Sequence, residues 1–541
     1  MSSMLDDILF CMTPVGRAEQ ADGFDRDEAA ALLEHFFQFI EAEIAPLNGA
    51  GDAVGARLEN GRVIVPDGFG PAYRQFAEQG WMGLGLPEPW GGQPLPAPLL
   101  AGFSEILSGA NQSFQMIVGL VPGAARILDI WGTDEQKQAW LEKLASGDWL
   151  ATMNLTEPQA GSDLARIRTQ AGKSDQPIAG SPSLDWEISG QKIFISGGDQ
   201  NMSSGILHMV LARTGTAEEG VRGLSLFAVP SLLPDGSRNS LTATRLEDKM
   251  GIHASPTCEM LFDRARASLI GAPGDGLKLM FVLMNHARLD VGLQGVAHAA
   301  RSHLLAAAYA AERVQGRQPN GRDAHLADHP DIQRMLEEMQ ILALGARALC
   351  QTAASLMETS PEQASPTLLP MLTSLAKVCG SEAGIQAADL GIQVLGGYGY
   401  LREYQLEQHY RDARITSIYE GANGIHARTL ALRLNRTQGA AAEFAGFLIS
   451  LCDNPPTQPV QNWQKMSAKL ARADESLIAA LADDFTRATS QIVMLCLWQR
   501  MAEQAAAHPD PGRIRQLAAR VACTLPFQLQ ASLAILEARL A

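Results

Sequence analysis

Two changes of periodicity divide this 541-residue chain and limit what it can fold into. After about Leu150, short alternating runs replace helical patterning: DWEISGQKIFI, ILHMVLAR, GLSLFAVP and CEMLFD, with Gly, Ser, Asp and Pro between them. Alternation at period two with turn residues at the ends predicts strands of an antiparallel sheet, ending near Ala272. On the N-terminal side the pattern is helical. Residues 27–46 repeat apolar positions at helical spacing and stop at Pro46, and further helices are predicted near 68–80, 95–109 and 120–146. GLGLPEPWGGQPLP reads as a packed loop among them. From Gly276 to about Gln315 helical texture returns almost without breaks, enough for roughly 60 Å of helix. Segments at 328–358, 366–395 and 422–434 follow, and long helices on short connectors predict a four-helix bundle. Residues 436–541 form a helical extension, broken at NPPTQPV. The expected domains are therefore an N-terminal helical domain (1–150), a β domain (151–272), a bundle (273–435) and a C-terminal helical extension (436–541): mainly α with a central β domain.

Composition narrows the partners. A formal net charge of −16 does not attract nucleic acid or an anionic membrane. No uninterrupted apolar run reaches the ~18 residues of a membrane span. The start MSSMLDDILF carries acids where a targeting segment would carry bases. Seven cysteines are scattered, odd in number and free of CxxC spacing, which predicts buried thiols with neither a disulfide framework nor a metal site. The expected setting is cytoplasmic. No GxGxxG opens a helix after a strand and no GxxxxGK[ST] occurs, so a nucleotide-containing cofactor must be held in another way.

Four stretches carry candidate chemistry. MNLTEPQAGSDL (153–164) places Asn154, Thr156, Glu157, Ser162 and Asp163 on a turn entering the sheet, where Pro158 and Gly161 fix the path and free backbone N–H groups to face a ligand. GQKIFISGG (190–198) ends a strand at Ser196 beside a glycine pair that a planar group could approach. DARITSIYEGANGIH (412–426) sets Glu420 before Gly421 and a helix starting near Ala422. QVLGGYGYLRE (393–403) ends a helix in a Gly-rich stretch. Taken singly, these are a polar connection, a strand end, a solvated acid at a helix start and a helix cap.

Together, and in order over roughly residues 30–435, they resemble the acyl-CoA dehydrogenase flavoprotein family. RLEDKMGIHASPT, ARLDVGLQGVAHAA and HYRDARI also fall in register with it. The extension resembles that of the long bacterial subgroup, which includes the 3-methylmercaptopropionyl-CoA dehydrogenases. The resemblance implies FAD-dependent α,β-dehydrogenation of an acyl-CoA thioester to the trans-2-enoyl-CoA. Glu420 is then the base that takes the α-proton, the β-hydrogen leaves as hydride to flavin N5, and the thioester oxygen is held by the backbone N–H of Glu420 and a flavin ribityl hydroxyl. Burial is expected to raise the Glu420 pKa towards the working pH.

The resemblance also implies FAD contacts at Leu155, Thr156, Gly161, Ser162, Ile195 and Ser196. Arg313, with Gln315 and His329, maps to the pyrophosphate end. Backbone contacts come from Gln393, Val394, Leu395, Gly396 and Gly397 across a dimer interface, and further contacts from Ala422, Asn423 and Gly424. Ser162, Asn285, Arg288, Glu420 and Gly421 map to the substrate side. Ala422, Gly424, Pro330 and Gln315 depart from the family's usual residues at the adenosine and pyrophosphate end. The implied partners are an acyl-CoA, an electron acceptor such as an electron-transfer flavoprotein, and a second copy in a homodimer. An acyl-CoA oxidase shares the same base and flavin; a DNA-binding relative and a flavin-free adaptor are further alternatives. The balanced extension argues against the DNA-binding relative, and an intact Glu420, Thr156 and Ser162 against the adaptor.

Overall fold

A seven-stranded sheet runs between Trp149 and Ile270; Leu241–Leu246 starts with alternating buried and exposed residues, whereas Gly205–Arg213 and Leu224–Pro230 are buried throughout. The computed structural model describes residues 2–20, 23–178, 182–358 and 365–541, with the side chains at positions 2, 282, 283 and 285 outside that description. Strand Gly205–Arg213 pairs with Trp149–Asn154 on one side and Leu224–Pro230 on the other, and meets Gln170–Ile178 at the Gln170–Arg213 pair. Leu184–Ser196 and Thr257–Ile270 complete a closed circuit of pairings, and Leu241–Leu246 lies along Thr257–Ile270. The sheet is not wholly antiparallel, as the alternation suggested, because Trp149–Asn154 runs parallel to Gly205–Arg213. The hairpin between them works as a long crossover and returns the chain to the same end of the sheet. Ile188, Ile195, Val210, Phe227, Met260 and Phe262 fill its interior.

Residue contacts divide the chain into two compact units. One comprises residues 39–95 and 110–287 and holds the sheet; the other comprises residues 1–38, 96–109 and 288–541 and is helical. Helix Ala97–Val118 continues beyond the expected end at 109. It is broken at Asn111, whose φ of −162° leaves the helix and whose Oδ1 accepts the Phe114 N–H, capping the second half.

In the helical unit, Gly276–Glu312 (from Arg288 onward) and Leu368–Leu395 meet backbone to backbone. A Cβ at Gly295 would lie 2.0 Å from the Gly380 carbonyl oxygen, and one at Gly384 2.6 Å from that of Gly295. Only glycine permits this approach, which brings the segment carrying Arg288 and Asp290 close to the one carrying Lys377. Pro330–Met357 packs beside them, and its buried Arg347 pairs with buried Glu105.

The extension shares this core rather than forming a separate one: Phe444, Trp463, Phe485 and Trp498 pack in the same cluster as Leu349, Leu372 and Leu375. Arg500 Nε donates to the Val15 carbonyl at 2.9 Å, and His508 Nε2 lies 3.0 Å from Asp7 Oδ1.

The structure corrects several expectations. The helix expected to reach Gln315 ends at Glu312, and a hairpin of Val314–Arg317 and Asp323–His325 follows, because Gly316 and Gly321 at φ +83° turn the chain. Helix Leu406–Arg414 was not anticipated. Cys523 is exposed, unlike the buried thiols expected. Helix Pro511–Leu540 is long and apolar enough to cross a membrane by length and composition, which a count of uninterrupted apolar residues misses; one face of it, with Leu517, Val521 and Leu529, packs into the helical core.

Candidate active site

In the helical unit, the residues around Glu420 adopt an unusual backbone. Glu420 has φ +54° and Gly421 φ +91°, two successive left-handed residues before helix Asn423–Thr429. A non-glycine residue in this region costs on the order of 1–3 kcal/mol and persists only where its surroundings fix it. They do so here. His426 Nε2–H donates to the Glu420 carbonyl oxygen at 3.1 Å, and a Cβ at Gly421 would meet the same ring nitrogen at 3.0 Å. Burial, with the Arg288 and Lys377 charges, lowers the His426 pKa to about 3, so the imidazole is neutral and can donate without bringing a charge. Tyr419, immediately before the base, donates its hydroxyl to Gln294 Oε1.

Glu420 is half-buried: protein surrounds it closely, yet solvent reaches it. Burial pushes its carboxyl up to about 7, against the opposing pull of Arg288 and Lys377, while the Asp290 charge adds to the rise. Asp290 is itself raised to about 7 by burial, although Ser104 Oγ donates to it at 3.0 Å. Burial lowers the pKa of Arg288 and the Glu420 charge opposes that. The structure thus gathers Glu420, Gly421 and Arg288 of the expected substrate side. The side chain of Asn285 lies outside the described residues. Asn423 was expected to contact cofactor, but its amide faces inward: Oδ1 accepts from Lys377 Nζ at 2.8 Å and Nδ2 donates to Ser381 Oγ at 3.1 Å. Ala422 is half-buried and Gly424 exposed beside it.

In the sheet unit, the 154–164 turn is bound to strand Leu184–Ser196. Lys192 is 0% exposed and Glu157 3%, and they pair at 2.9 Å. Lys192 Nζ also donates to the Leu155 carbonyl at 2.9 Å, and the Ile193 N–H donates to the Thr156 carbonyl at 2.9 Å. Glu157 further accepts the backbone N–H groups of Arg168 and Thr169 at 2.7 and 3.0 Å. Burial pushes its carboxyl up, but Lys192 and these donors outweigh it and hold the pKa below the ordinary value. Burial lowers the Lys192 pKa to about 8 despite the partner.

Beyond this buried lock the strand is irregular. Its register with Thr257–Ile270 shifts between Lys192 and Ile195, and Phe194 takes φ +59° with its side chain 59% exposed. A bulge re-aims a side chain in this way. Thr156 and Ser196 are half-exposed, Gly161 and Ser162 exposed, and nothing lies within 4 Å of a Cβ built at Gly161. An exposed aromatic face, hydroxyls and a side-chain-free approach suit a planar ligand with polar edges, which fits a flavin. Leu155 and Ile195 have buried side chains and can offer only backbone atoms.

A third group lies in the helical unit. The Arg313 guanidinium sits over the Tyr398 ring, 5.5 Å from its centre, and His329 Nε2 donates to the Gln315 carbonyl at 2.7 Å. Arg313, Gln315, Gln393, Gly396 and Gly397 are exposed, whereas Val394 and Leu395 are buried in a core cluster, leaving only their backbone for a ligand. Sequence reasoning missed Lys377, Asp290, His426 and Phe194. Lys377 had a legible signal: it is the one charged residue in the otherwise uncharged run from Leu368 to Ser381.

Comparison with known proteins shows the family. Residues 26–148, 152–265 and 274–435 match the N-terminal, middle and C-terminal domains of acyl-CoA dehydrogenase. The chain is 40% identical over 496 residues to the 3-methylmercaptopropionyl-CoA dehydrogenase of Ruegeria pomeroyi, covering 88% of this chain and 83% of that one. It is 34% identical to a broad-specificity linear acyl-CoA dehydrogenase of Mycobacterium tuberculosis, covering 79% and 73%. The solved acyl-CoA dehydrogenase of Geobacillus kaustophilus superposes with a TM-score of 0.65 at 26% identity, over 76% of this chain and 99% of that one. The Bacillus anthracis enzyme, solved with FAD, shares the fold over 97% of this chain and 89% of its own at TM-score 0.73 and 22% identity. Its cofactor is FAD, and the chain is an oxidoreductase of the acyl-CoA dehydrogenase family.

Proposed function

We propose that this acyl-CoA dehydrogenase removes the α-proton of its thioester substrate with Glu420 and forms the trans-2-enoyl-CoA. The observation that carries the reading is a half-buried carboxyl with a pKa near 7, fixed in a left-handed turn. A base poised near neutral pH is about half ionised at pH 7, and its raised basicity lets it accept a proton readily. The Glu420 backbone N–H is the proposed donor to the thioester oxygen, and its rigid turn, with the carbonyl already engaged by His426, supports that role. Arg288 favours the ionised base and is proposed to lie on the CoA side. FAD bound by the family's cofactor site supplies the acceptor for the β-hydrogen as hydride. Thr156, Ser162 and Ser196 are proposed to bond its ring and ribityl edges, Phe194 to lie against its ring, and Arg313 with the 393–397 backbone to hold its pyrophosphate end, the latter across a homodimer. An electron-transfer flavoprotein is the proposed acceptor of the two electrons.

The test is anaerobic reduction of the bound flavin by a panel that includes 3-methylmercaptopropionyl-, butyryl- and longer acyl-CoAs; similarity to the Ruegeria and Mycobacterium enzymes motivates the panel. Glu420→Gln keeps size and hydrogen bonding but cannot accept the proton. It is expected to slow reduction by at least ~10²–10⁴-fold while acyl-CoA still perturbs the flavin spectrum. Reduction of the variant at near wild-type rate places the base elsewhere.

A further inference from the structure

Lys377 has no part in the reading above, yet its surroundings are specific. It is 0% exposed, on helix Leu368–Leu395, and its Nζ donates to Asn423 Oδ1 at 2.8 Å. Asn423 opens the short helix three residues after Glu420. One turn along from Lys377, Ser381 Oγ accepts from Asn423 Nδ2 at 3.1 Å, and Glu382 Oε1 lies 3.4 Å from the same nitrogen. Three successive polar groups of a largely apolar helix therefore hold one amide, and through it the backbone that turns at Glu420 and Gly421. Burying an ammonium is expensive unless something compensates, and a simple helix tether does not need one.

From this arrangement we infer that Lys377 is a positioning residue for the base: it anchors the Glu420 turn through Asn423 and supplies a fixed positive charge that favours the ionised carboxylate. This inference rests on the assignment of Glu420 as base.

The charged groups acting on Glu420 are Arg288 and Asp290 from one helix and Lys377 from another; Glu382, beside Lys377, acts on that ammonium, and His426 of the helix after the base is neutral. Arg433 faces Arg288 from further along the chain. Arg288 and Lys377 are the two cations that hold Glu420 down against burial, and Lys377 is the one tied directly to the Glu420 turn. Burial lowers the Lys377 pKa to about 8, with Glu420 and Glu382 opposing, so it stays mostly charged at neutral pH. The distribution of work differs: Arg288 sits on the proposed substrate side, whereas Lys377 is fully buried and held by Asn423, so its charge is in place whether or not substrate is bound.

The experiment is the pH dependence of flavin reduction in the FAD-loaded enzyme, with Lys377→Met, Lys377→Arg, Asn423→Ala and Glu420→Gln beside the wild type. Lys377→Met removes the charge, so the acid limb, where rate rises as the base ionises, is expected to move up by about one pH unit or more. The rate then falls about tenfold below the limb and recovers at alkaline pH. Lys377→Arg retains the charge and is expected to keep the limb near its wild-type position. Asn423→Ala removes the anchor and leaves the charge, so the rate drops at every pH without a matching shift. If Lys377→Met does not fold, Lys377→Gln reads the same charge effect while still able to donate to Asn423. A wild-type acid limb in a folded, FAD-loaded Lys377→Met or Lys377→Gln enzyme overturns the inference, provided that Glu420→Gln is inert. If Glu420→Gln itself reduces flavin normally, the assignment of the base is what fails.

Discussion

His426 holds the Glu420 carbonyl oxygen 3.1 Å from its Nε2 and fills the space that a side chain at Gly421 would need. A single ring thus fixes the carbonyl of the proposed base and the conformation of the residue after it. Because burial keeps the ring neutral, it places no competing cation beside the base.

Gly421→Ala tests this cradle. The new methyl meets His426 at 3.0 Å, on a backbone at φ +91° that L-residues avoid at a cost of roughly 1–2 kcal/mol. The turn is expected to shift, displacing the Glu420 carboxylate. Flavin reduction should fall at least about tenfold, since a small misplacement of a reacting group is costly. FAD content should stay near wild type. Stopped-flow reduction with a flavin spectrum of the same sample checks both, and an unchanged rate means the turn does not set the geometry.

The general architecture was legible because burial imposes its period on sequence: the alternating runs after Leu150 became strands and the Ala/Leu-rich stretches became helices. The direction of Trp149–Asn154 was not legible, because alternation is the same in parallel and antiparallel pairs. The end of the long helix was misread because Val314 to Arg317 has no breaker except Gly316. Glu420 stood out through its flanking YEG motif, but its left-handed backbone and the His426 bond have no local signature. Lys377 and Asn423 are 46 residues apart, and a pairing over that separation emerges only when helices pack. Asn423 shows the limit of transferring a motif residue by residue: its position suggested a ligand contact, and its amide is engaged by the protein.

Lys192→Met should expose the cost of the lock beneath the 154–164 turn. It leaves Glu157, 3% exposed, without its cation, and losing one partner of a buried pair typically costs about 3–5 kcal/mol. The Leu155 carbonyl also loses its donor. Thermal melting is expected to show a marked fall in Tm, and the protein to be purified with little FAD. Adding Glu157→Leu removes the stranded carboxylate and should recover part of the Tm. FAD content should stay low in the double variant, because the Leu155 carbonyl remains without its Lys192 donor; full FAD retention in either variant contradicts the proposed ligand role of this turn.

Phe194→Ala separates cofactor contact from folding. The ring is 59% exposed, so its loss should change the Tm of the FAD-free protein little. If it covers the flavin ring, the variant loses buried aromatic contact, and FAD affinity should fall by about tenfold. Titration of the FAD-free protein, followed by flavin fluorescence, measures this directly. Equal affinities in wild type and variant show that the ring lies away from the cofactor.

The raised pKa of Glu420 makes a prediction about stability that does not involve turnover. The ordinary value is 4.5 and the folded value about 7, so the fold favours the protonated carboxyl. That contribution is fully present below about pH 4.5 and is lost as pH rises through 7, where the half-buried group must ionise in place. Glutamine cannot ionise and carries no such loss. Glu420→Gln should therefore match the wild type at acid pH and become the more stable protein above neutrality. Allowing for partial solvent screening, the difference should reach about 1–2 kcal/mol. Asp290, Lys192 and the other shifted groups are common to both proteins, so to first order their contributions cancel in the comparison. Urea unfolding of both proteins at pH 5 and pH 8.5, with FAD saturating, gives the difference at each end. A gap that is the same at both, or that favours the wild type at alkaline pH, is incompatible with a carboxyl whose pKa the fold has raised.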